Sequence, residues 1–155
     1  MTASPRPILI VDAPYYAEIS KELLAGATDV LDAVNQPYER IEVPGAFEIP
    51  ATIRAALKSM EIGATMRRYI GFIALGCVIR GETSHYDYVC GESARGLMDL
   101  SLQFNAAIGY GIITVENEAQ AWARAKRDKK NKGRDAAMAC LRMIEVKEHF
   151  RLAPR

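Results

Sequence analysis

The sequence predicts an α/β fold in which helices cover both faces of a parallel β-sheet. Four short runs rich in branched apolar residues are each followed by a segment whose apolar residues recur every three or four positions. Strands that alternate with amphipathic helices in this way are typical of a parallel sheet with right-handed crossovers. No linker, internal repeat or low-complexity segment interrupts the 155 residues, so the pattern favours one domain spanning residues 1–155.

The first two strand–helix units occupy the first part of the chain. Residues 7–11 (PILIV) predict a buried strand, and the apolar positions of residues 17–34 form one face of a helix. Residues 38–43 alternate between apolar and polar and predict a second strand. Residues 47–60 then predict a helix, and Pro50 fits there only in the first turn, where its missing N–H is not needed.

The second half of the chain repeats this pattern and adds one helix. Residues 69–75 (YIGFIAL) predict a third strand, and residues 108–114 (IGYGIIT) predict a fourth. A helix is predicted between them over residues 85–102. The chain is predicted to close with two more helices, over residues 117–126 and 134–150.

Composition and charge argue against several classes of function. The net charge of +1 gives no reason to expect a nucleic-acid partner, and we interpret the basic stretch at residues 126–134 as a solvated turn. No apolar run approaches the roughly 20 residues that a membrane helix needs. The three cysteines show no metal-ligand spacing, which predicts neither disulfides nor a metal site. With no visible signal sequence, we expect a reduced, cytoplasmic protein.

Chemistry-bearing side chains follow the carboxyl ends of the predicted strands, where ligands of open α/β sheets bind. Tyr15 follows the first strand, Phe47 and Glu48 follow the second, and His85 follows the third. The aromatic rings offer stacking faces for a planar heterocycle, and imidazole transfers protons near neutral pH. Taken singly, each aromatic has an alternative explanation in core packing, and the histidine has one in a surface or capping position.

The loop over residues 76–84 leads into the helix that begins at His85. Free N–H groups at a helix start favour an anion, and the hydroxyls of Thr83 and Ser84 would add donors. The alternative is an ordinary helix cap made by either hydroxyl. The carboxylate of Glu82 disfavours an anion unless it points away.

Three stretches of the sequence together resemble the lumazine synthase family. They are VPGAFEIP at residues 43–50, ALGCVIRGETSHYDYV at 74–89 and GIITVENEAQAWARA at 111–125, and NKG at 131–133 adds to them. The resemblance covers nearly the whole chain and implies a flavodoxin-like three-layer α/β/α sandwich with a four-stranded parallel sheet. It also implies condensation of 5-amino-6-(D-ribitylamino)uracil with 3,4-dihydroxy-2-butanone 4-phosphate to 6,7-dimethyl-8-ribityllumazine. Phosphate and water leave in this reaction, and no metal or organic cofactor takes part.

The resemblance assigns the heterocycle site residue by residue. Tyr15 stands where the family has a phenylalanine that stacks on the uracil ring, and His85 matches the histidine that transfers protons. Six residues match the segments that hold the pyrimidine, the ribityl chain and the heterocycle: Ala46, Phe47, Glu48, Cys77, Val78 and Ile79.

The phosphate site and the subunit boundary are assigned in the same way. Glu82 and Thr83 match the phosphate loop. Tyr110 matches an aromatic position and Arg124 a phosphate-binding arginine, both of which a neighbouring subunit contributes. Asp135 falls where the family has an acid that orients this arginine, so Arg124 and Asp135 are expected to pair. The resemblance therefore implies a homo-oligomer built on a pentamer, with an active site shared between subunits.

The sequence departs from the family pattern at three places. Pro14 replaces a frequent arginine beside Tyr15, which itself replaces phenylalanine. Residues 124–132 lack the glycines of members that form icosahedral shells, which favours a free pentamer or a pair of pentamers. One alternative is a catalytically weak relative that binds flavin or lumazine or serves as a scaffold. A flavodoxin-like electron carrier is disfavoured, because APYYAE after the first strand is not a Ser/Thr/Gly-rich flavin phosphate loop.

Overall fold

The sheet predicted from the sequence is present in the computed structural model, which describes residues 5–66 and 68–152. Four parallel strands lie in the order β2-β1-β3-β4. They are β1 (Ile8–Ala13), β2 (Tyr38–Glu42), β3 (Gly71–Ile79) and β4 (Ile108–Val115). The α/β fold class is therefore confirmed.

Helices cover both faces of this sheet. One face carries α1 (Ala17–Ala33), α4 (Glu118–Ala125) and α5 (Lys132–His149). The other carries a 3₁₀ turn (Ala46–Glu48), α2 (Ile49–Glu61) and α3 (His85–Phe104). Because β1 and β3 lie in the middle of the sheet and are covered on both sides, their sequences read as continuous apolar runs.

Alternate residues of each strand enter the two halves of the core. Ile8 and Ile10 of β1 pack with α1 and α5, whereas Leu9 and Val11 pack on the opposite side against α2 and α3. All four of these side chains are essentially inaccessible to water. Burial of each such side chain stabilises the fold by about 1.5–3 kcal/mol, so the middle of the sheet anchors the structure.

The boundary of β3 differs from the prediction. The sequence predicted a strand over residues 69–75 and a loop from Gly76, but β3 continues to Ile79. Its last three residues, Cys77, Val78 and Ile79, pair with Ile113, Thr114 and Val115 of β4. Gly76 was therefore wrongly interpreted as the start of a loop, because β4 extends far enough to supply backbone partners beyond it.

The starts of α2 and α3 agree with their sequence signals. Pro50 is the second residue of α2, inside the first turn as predicted. At the start of α3, the Thr83 hydroxyl accepts a hydrogen bond from the backbone N–H of His85 at 3.3 Å, while the Ser84 side chain makes no capping bond. Among helices in the described ranges, none combines the length and apolar character that crossing a membrane requires.

Candidate active site

A cleft of about 580 Å³ opens beyond the carboxyl ends of the strands. Its walls are the segments that follow β1 and β2, the end of β3, and the first turns of α3. The described residues that line it are Tyr15, Tyr16, Pro44, Gly45, Ala46, Phe47, Glu48, Cys77, Val78, Ile79, Gly81, Thr83, His85, Tyr86 and Val89. Nine of the twelve site residues predicted from the sequence are among them.

Two exposed aromatic rings stand at the cleft. Tyr15 is 73% exposed and Phe47 is 57% exposed, so each ring presents an open face at the cleft. Tyr16 packs edge-to-face on Tyr15, with ring centroids 5.0 Å apart. These exposed faces are suited to stacking on a planar heterocycle.

The 3₁₀ turn places Glu48 beside this aromatic surface. The turn is closed by the backbone N–H of Glu48, which donates to the Gly45 carbonyl at 3.1 Å, and the Thr52 hydroxyl donates to the Glu48 carbonyl at 2.8 Å. The Glu48 carboxylate folds back toward Gly45, since a Cβ atom at that glycine would lie 3.2 Å from its Oε2. Glu48 is thus held at the cleft as an exposed hydrogen-bond acceptor.

The end of β3 forms the back of the cleft. The Cys77 side chain is buried among Ile19, Ile113 and neighbouring apolar residues, and burial raises the pKa of its thiol to about 12. The thiol is therefore protonated near neutral pH and is not an activated nucleophile. Cys77 thus lines the cleft with only 6% of its surface exposed.

His85 is the first residue of α3 and lies at the open side of the cleft, where its side chain is exposed. Gly81 and Thr83 of the preceding loop line the same region, whereas Glu82 is exposed and does not line it. The first N–H groups of α3 and its positive dipole end favour an anion here. The region thus combines a proton-transfer group with a place for negative charge.

Besides Glu82, two predicted site residues, Tyr110 and Arg124, do not line the cleft of their own chain. Tyr110 projects from β4 beside Tyr86 and Cys90 of α3, and it is half-exposed. Partial burial in this position raises its pKa. Arg124 lies in the last turn of α4, where its guanidinium donates to the Gln120 carbonyl at 3.1 Å.

The predicted pairing of Arg124 with Asp135 is wrong for a single chain. Asp135 instead contacts Lys132 at 3.1 Å and Arg134 at 3.3 Å, its neighbours in the first turn of α5. Lys132, three positions before Asp135, is the partner that helix geometry places beside it, and this local contact takes the place of the expected one.

The sequence analysis missed some cleft residues whose signals were nevertheless available. Val89 lies four positions after His85 and therefore on the same face of the helix, and Tyr86 is the next residue in its first turn. Tyr16 adjoins Tyr15 directly after a strand end. Within the described residues, no group of three or more His, Cys, Asp and Glu side chains is arranged to hold a metal ion.

Comparison with known proteins adds an independent finding. The family pattern described as 6,7-dimethyl-8-ribityllumazine synthase matches residues 6–148. The chain is 54% identical to the 6,7-dimethyl-8-ribityllumazine synthase of Bartonella bacilliformis over 143 residues, 92% of this chain and 91% of that protein. It is 51% identical over 146 residues to 6,7-dimethyl-8-ribityllumazine synthase 1 of Rhizobium meliloti, 94% of each chain. The corresponding protein of Paramagnetospirillum magneticum is 45% identical over 146 residues, 94% of this chain and 97% of that one.

Proposed function

This chain belongs to the 6,7-dimethyl-8-ribityllumazine synthase family, and we propose that the cleft at the carboxyl ends of its strands is the active site. The enzyme condenses 5-amino-6-(D-ribitylamino)uracil with 3,4-dihydroxy-2-butanone 4-phosphate to 6,7-dimethyl-8-ribityllumazine, a step of riboflavin biosynthesis. The observation that carries the assignment of the site is the convergence of Tyr15, Phe47, Glu48 and His85 on one cleft.

Tyr15 and Phe47 stack on the pyrimidine ring in this proposal. Both rings are exposed at the cleft, and stacking of aromatic pairs contributes about 0.5–1.5 kcal/mol beyond the area that it buries. Glu48 accepts hydrogen bonds from the substrate, and Ala46 together with the backbone of Cys77, Val78 and Ile79 completes the surface against which the ring and ribityl chain lie. Holding the two reactants in place lowers the barrier by removing much of the entropy of their encounter.

His85 carries protons during the reaction. The amine of the uracil attacks the ketone and an imine forms with loss of water. Phosphate then leaves by elimination, and the second amine closes the ring with loss of a further water. Each step is an addition, an elimination or a proton transfer, so the proposal includes no cofactor. An imidazole at the open side of the cleft suits these transfers.

The phosphate group lies at the start of α3, against the 81–84 loop. Thr83 lines the cleft there and the first N–H groups of the helix are available to an anion. Glu82 does not line the cleft, which supports an orientation away from phosphate. Arg124 of a neighbouring subunit supplies a charge-assisted contact to the leaving phosphate.

The active unit is a homo-pentamer, alone or as a pair. Its support is that Tyr110 and Arg124 do not reach the cleft of their own chain. In addition, the outward face of α3 exposes Tyr88, Met98 and Leu102, which a second copy of this chain would cover. Light scattering should give the mass of five or ten subunits, and a particle of megadalton mass would refute this assembly.

We place the enzyme in the cytoplasm. All three of its cysteines are free, and two of them, Cys77 and Cys140, are buried in the core. Free thiols are usual where the compartment is reducing. Fractionation of cells that carry a tagged copy would test this placement, and recovery in an extracellular or periplasmic fraction would contradict it.

The function is tested by mixing purified protein with both substrates and following lumazine formation by absorbance. We expect turnover in the wild type and a loss of about 10²-fold in kcat for H85A, since positioning by the rest of the site persists. His149 at the end of α5 packs on Phe150 away from the cleft, so H149A is the matched control and should retain wild-type activity.

Two outcomes would contradict parts of this proposal. Full activity in H85A would remove His85 from the proton-transfer role. Absence of turnover in folded wild type, together with tight riboflavin binding, would favour a relative that binds flavin or lumazine without catalysis. The sequence feature that supports this second candidate is the Pro14–Tyr15 edge, where the family has a different pair.

A further inference from the structure

We infer that Arg80 is a positioning residue that holds the 81–84 loop and the first turn of α3, and with them His85, against the carboxyl end of β4. The inference concerns the same site as the proposed function and rests on it. Arg80 follows Ile79, the last residue of β3, and directly precedes the loop that it would hold.

The Arg80 side chain joins three parts of the chain. Its Nε donates to Oε2 of Glu116 at 2.7 Å, directly after β4, and one terminal nitrogen lies 3.4 Å from Oδ1 of Asp87 in the first turn of α3. Its Cζ lies 4.3 Å from the centroid of the Tyr86 ring. The Arg80 backbone N–H also donates to the Val115 carbonyl at 2.9 Å, so both the side chain and the main chain of Arg80 bind the carboxyl end of β4.

These contacts leave Arg80 unsuited to binding substrate phosphate. Two carboxylates and an aromatic face already surround the guanidinium, and Arg80 does not line the cleft. Tyr86, whose ring it covers, does line the cleft and adjoins His85. Arg80 therefore acts on the site through the groups that it holds.

The network also reaches the start of α4. The backbone N–H of Glu116 donates to Oε1 of Gln120 at 2.8 Å, and Oδ1 of Asn117 caps α4 by accepting from the Gln120 N–H at 2.9 Å. Through Glu116, Arg80 thus connects the helix that begins with His85 to the helix that carries Arg124. In the proposed oligomer these two helices serve different sites, because His85 lines the cleft of its own chain and Arg124 reaches the cleft of a neighbour.

Arginine is suited to this task in a way that lysine is not. Its planar, forked guanidinium can contact two carboxylates while it lies flat on a ring, whereas an ammonium offers a compact charge without a stacking plane. R80K should therefore keep only part of the side-chain contacts with Glu116, Asp87 and Tyr86. R80M should lose all of these side-chain contacts while it fills a similar space. The Tyr86 hydroxyl keeps its own contacts with Thr114 and Cys90, so both variants are expected to fold.

The experiment measures kcat, the KM of each substrate and amide hydrogen exchange in wild type, R80K, R80M and E116Q. We expect about a tenfold fall in kcat for R80M with the KM of the uracil substrate within about twofold, because the residues that bind its ring are untouched. R80K and E116Q should each fall in between, since E116Q keeps the contacts of Arg80 with Asp87 and Tyr86. Exchange of amides 81–87 should be about tenfold faster in R80M, since their local opening becomes easier.

The control is R142M, which removes an exposed arginine paired with Glu145 on α5 and should change none of these quantities.

Each contrary outcome has a distinct meaning. Wild-type kcat and wild-type exchange in R80M would overturn the inference. A raised KM for the butanone phosphate with kcat unchanged would also overturn it, because Arg80 would then be a phosphate ligand. If the wild type itself shows no turnover, the proposed function fails, while the exchange measurement still decides whether Arg80 holds the loop.

Discussion

Asp12 is the residue whose environment departs most from what a sequence reading would suggest. It lies at the end of β1, fully buried, although aspartate is almost never buried without a partner. Its Oδ2 accepts from Arg40 of β2 at 2.6 and 3.2 Å, while Oδ1 is buried without a hydrogen bond. Burial raises the pKa of Asp12, although Arg40 opposes the rise.

The raised pKa of Asp12 predicts how D12N changes stability with pH. A carboxyl whose folded pKa exceeds its unfolded value, about 3.9, stabilises the fold fully only below that pH, and the benefit is lost as pH rises through the folded pKa. Relative to D12N, the wild type should therefore gain unfolding free energy on acidification. Near neutral pH the two should agree within about 1 kcal/mol, because Arg40 keeps its second partner, Glu42.

Urea unfolding of both proteins between pH 4 and pH 8 measures this difference, and the other titrating groups cancel in the comparison. A constant difference across the range would show that the pKa of Asp12 is not shifted on folding. A wild type that loses stability relative to D12N in acid would show that this pKa is lowered on folding instead of raised.

At the residue scale, the sequence predicted most of the side chains that line the cleft. It did not predict the contacts that hold those side chains in place. Tyr15, Phe47 and His85 follow strand ends, and chain order alone brings strand ends of a parallel sheet together. The contacts of Arg80 and the burial of Asp12 could not be predicted, because they depend on the register between strands and on side-chain direction. The expected partner of Arg124 was wrong for the same reason.

At the element scale, α5 approaches the sheet so closely that glycine is required beneath it. A Cβ atom at Gly109 of β4 would lie 2.0 Å from the carbonyl oxygen of Ala136, and one at Gly133 would lie 2.0 Å from the carbonyl oxygen of Leu23 in α1. Both obstacles are backbone atoms, which cannot rotate away. The distances of α5 from the sheet and from α1 therefore depend on these glycines as much as on the apolar side chains that fill the core.

We therefore expect G109A to lower the free energy of unfolding by about 1–3 kcal/mol, the range typical of overpacked sites. G91A in α3 is the matched control, since among the described residues no atom beyond the adjacent backbone of α3 lies within 4 Å of the Cβ that it would add. That variant should be neutral or gain up to about 1 kcal/mol from improved helix propensity. Equal stability of the two variants in urea would show that α5 shifts away without loss.

The periodicity of apolar residues predicted every strand and helix, because buried faces must recur at the spacing of the element that they belong to. The ends of elements were less well predicted. β3 continues past Gly76 because a neighbouring strand offers partners, and the helix expected from Phe47 begins instead with a 3₁₀ turn and becomes α-helical at Ile49. The extension of β3 has no local sequence signal, because it depends on the strand that lies alongside.

At the scale of the whole molecule, a single chain does not contain every group that the proposed site requires. The cleft brings together nine of the twelve predicted residues; Glu82 lies beside it on the 81–84 loop, whereas Tyr110 and Arg124 lie on other elements. Sequence patterning reports which positions are buried within a chain, and it carries little information about surfaces that a second copy covers. For this reason the shared site was expected from family resemblance and not from periodicity.

A site shared between subunits makes a quantitative prediction about mixed oligomers. H85A and R124A should each be nearly inactive alone, because every site in either oligomer lacks one of the two groups. If the two variants are unfolded together and reassembled at equal amounts, each site draws His85 from one subunit and Arg124 from its neighbour independently. About one quarter of the sites should then carry both native residues, and activity should return to about that fraction of the wild type.

The same mixture distinguishes the shared site from a self-contained one. If both residues came from one chain, no mixture could restore a complete site, and activity would stay at the average of the two variants. Reassembly of H85A with H149A is the matched control: half of its subunits keep His85 and all keep Arg124, so about half of the wild-type activity should return under either arrangement. Recovery in the control but not in the H85A–R124A mixture would therefore place Arg124 outside the neighbouring subunit's cleft and remove the main argument for an obligate oligomer.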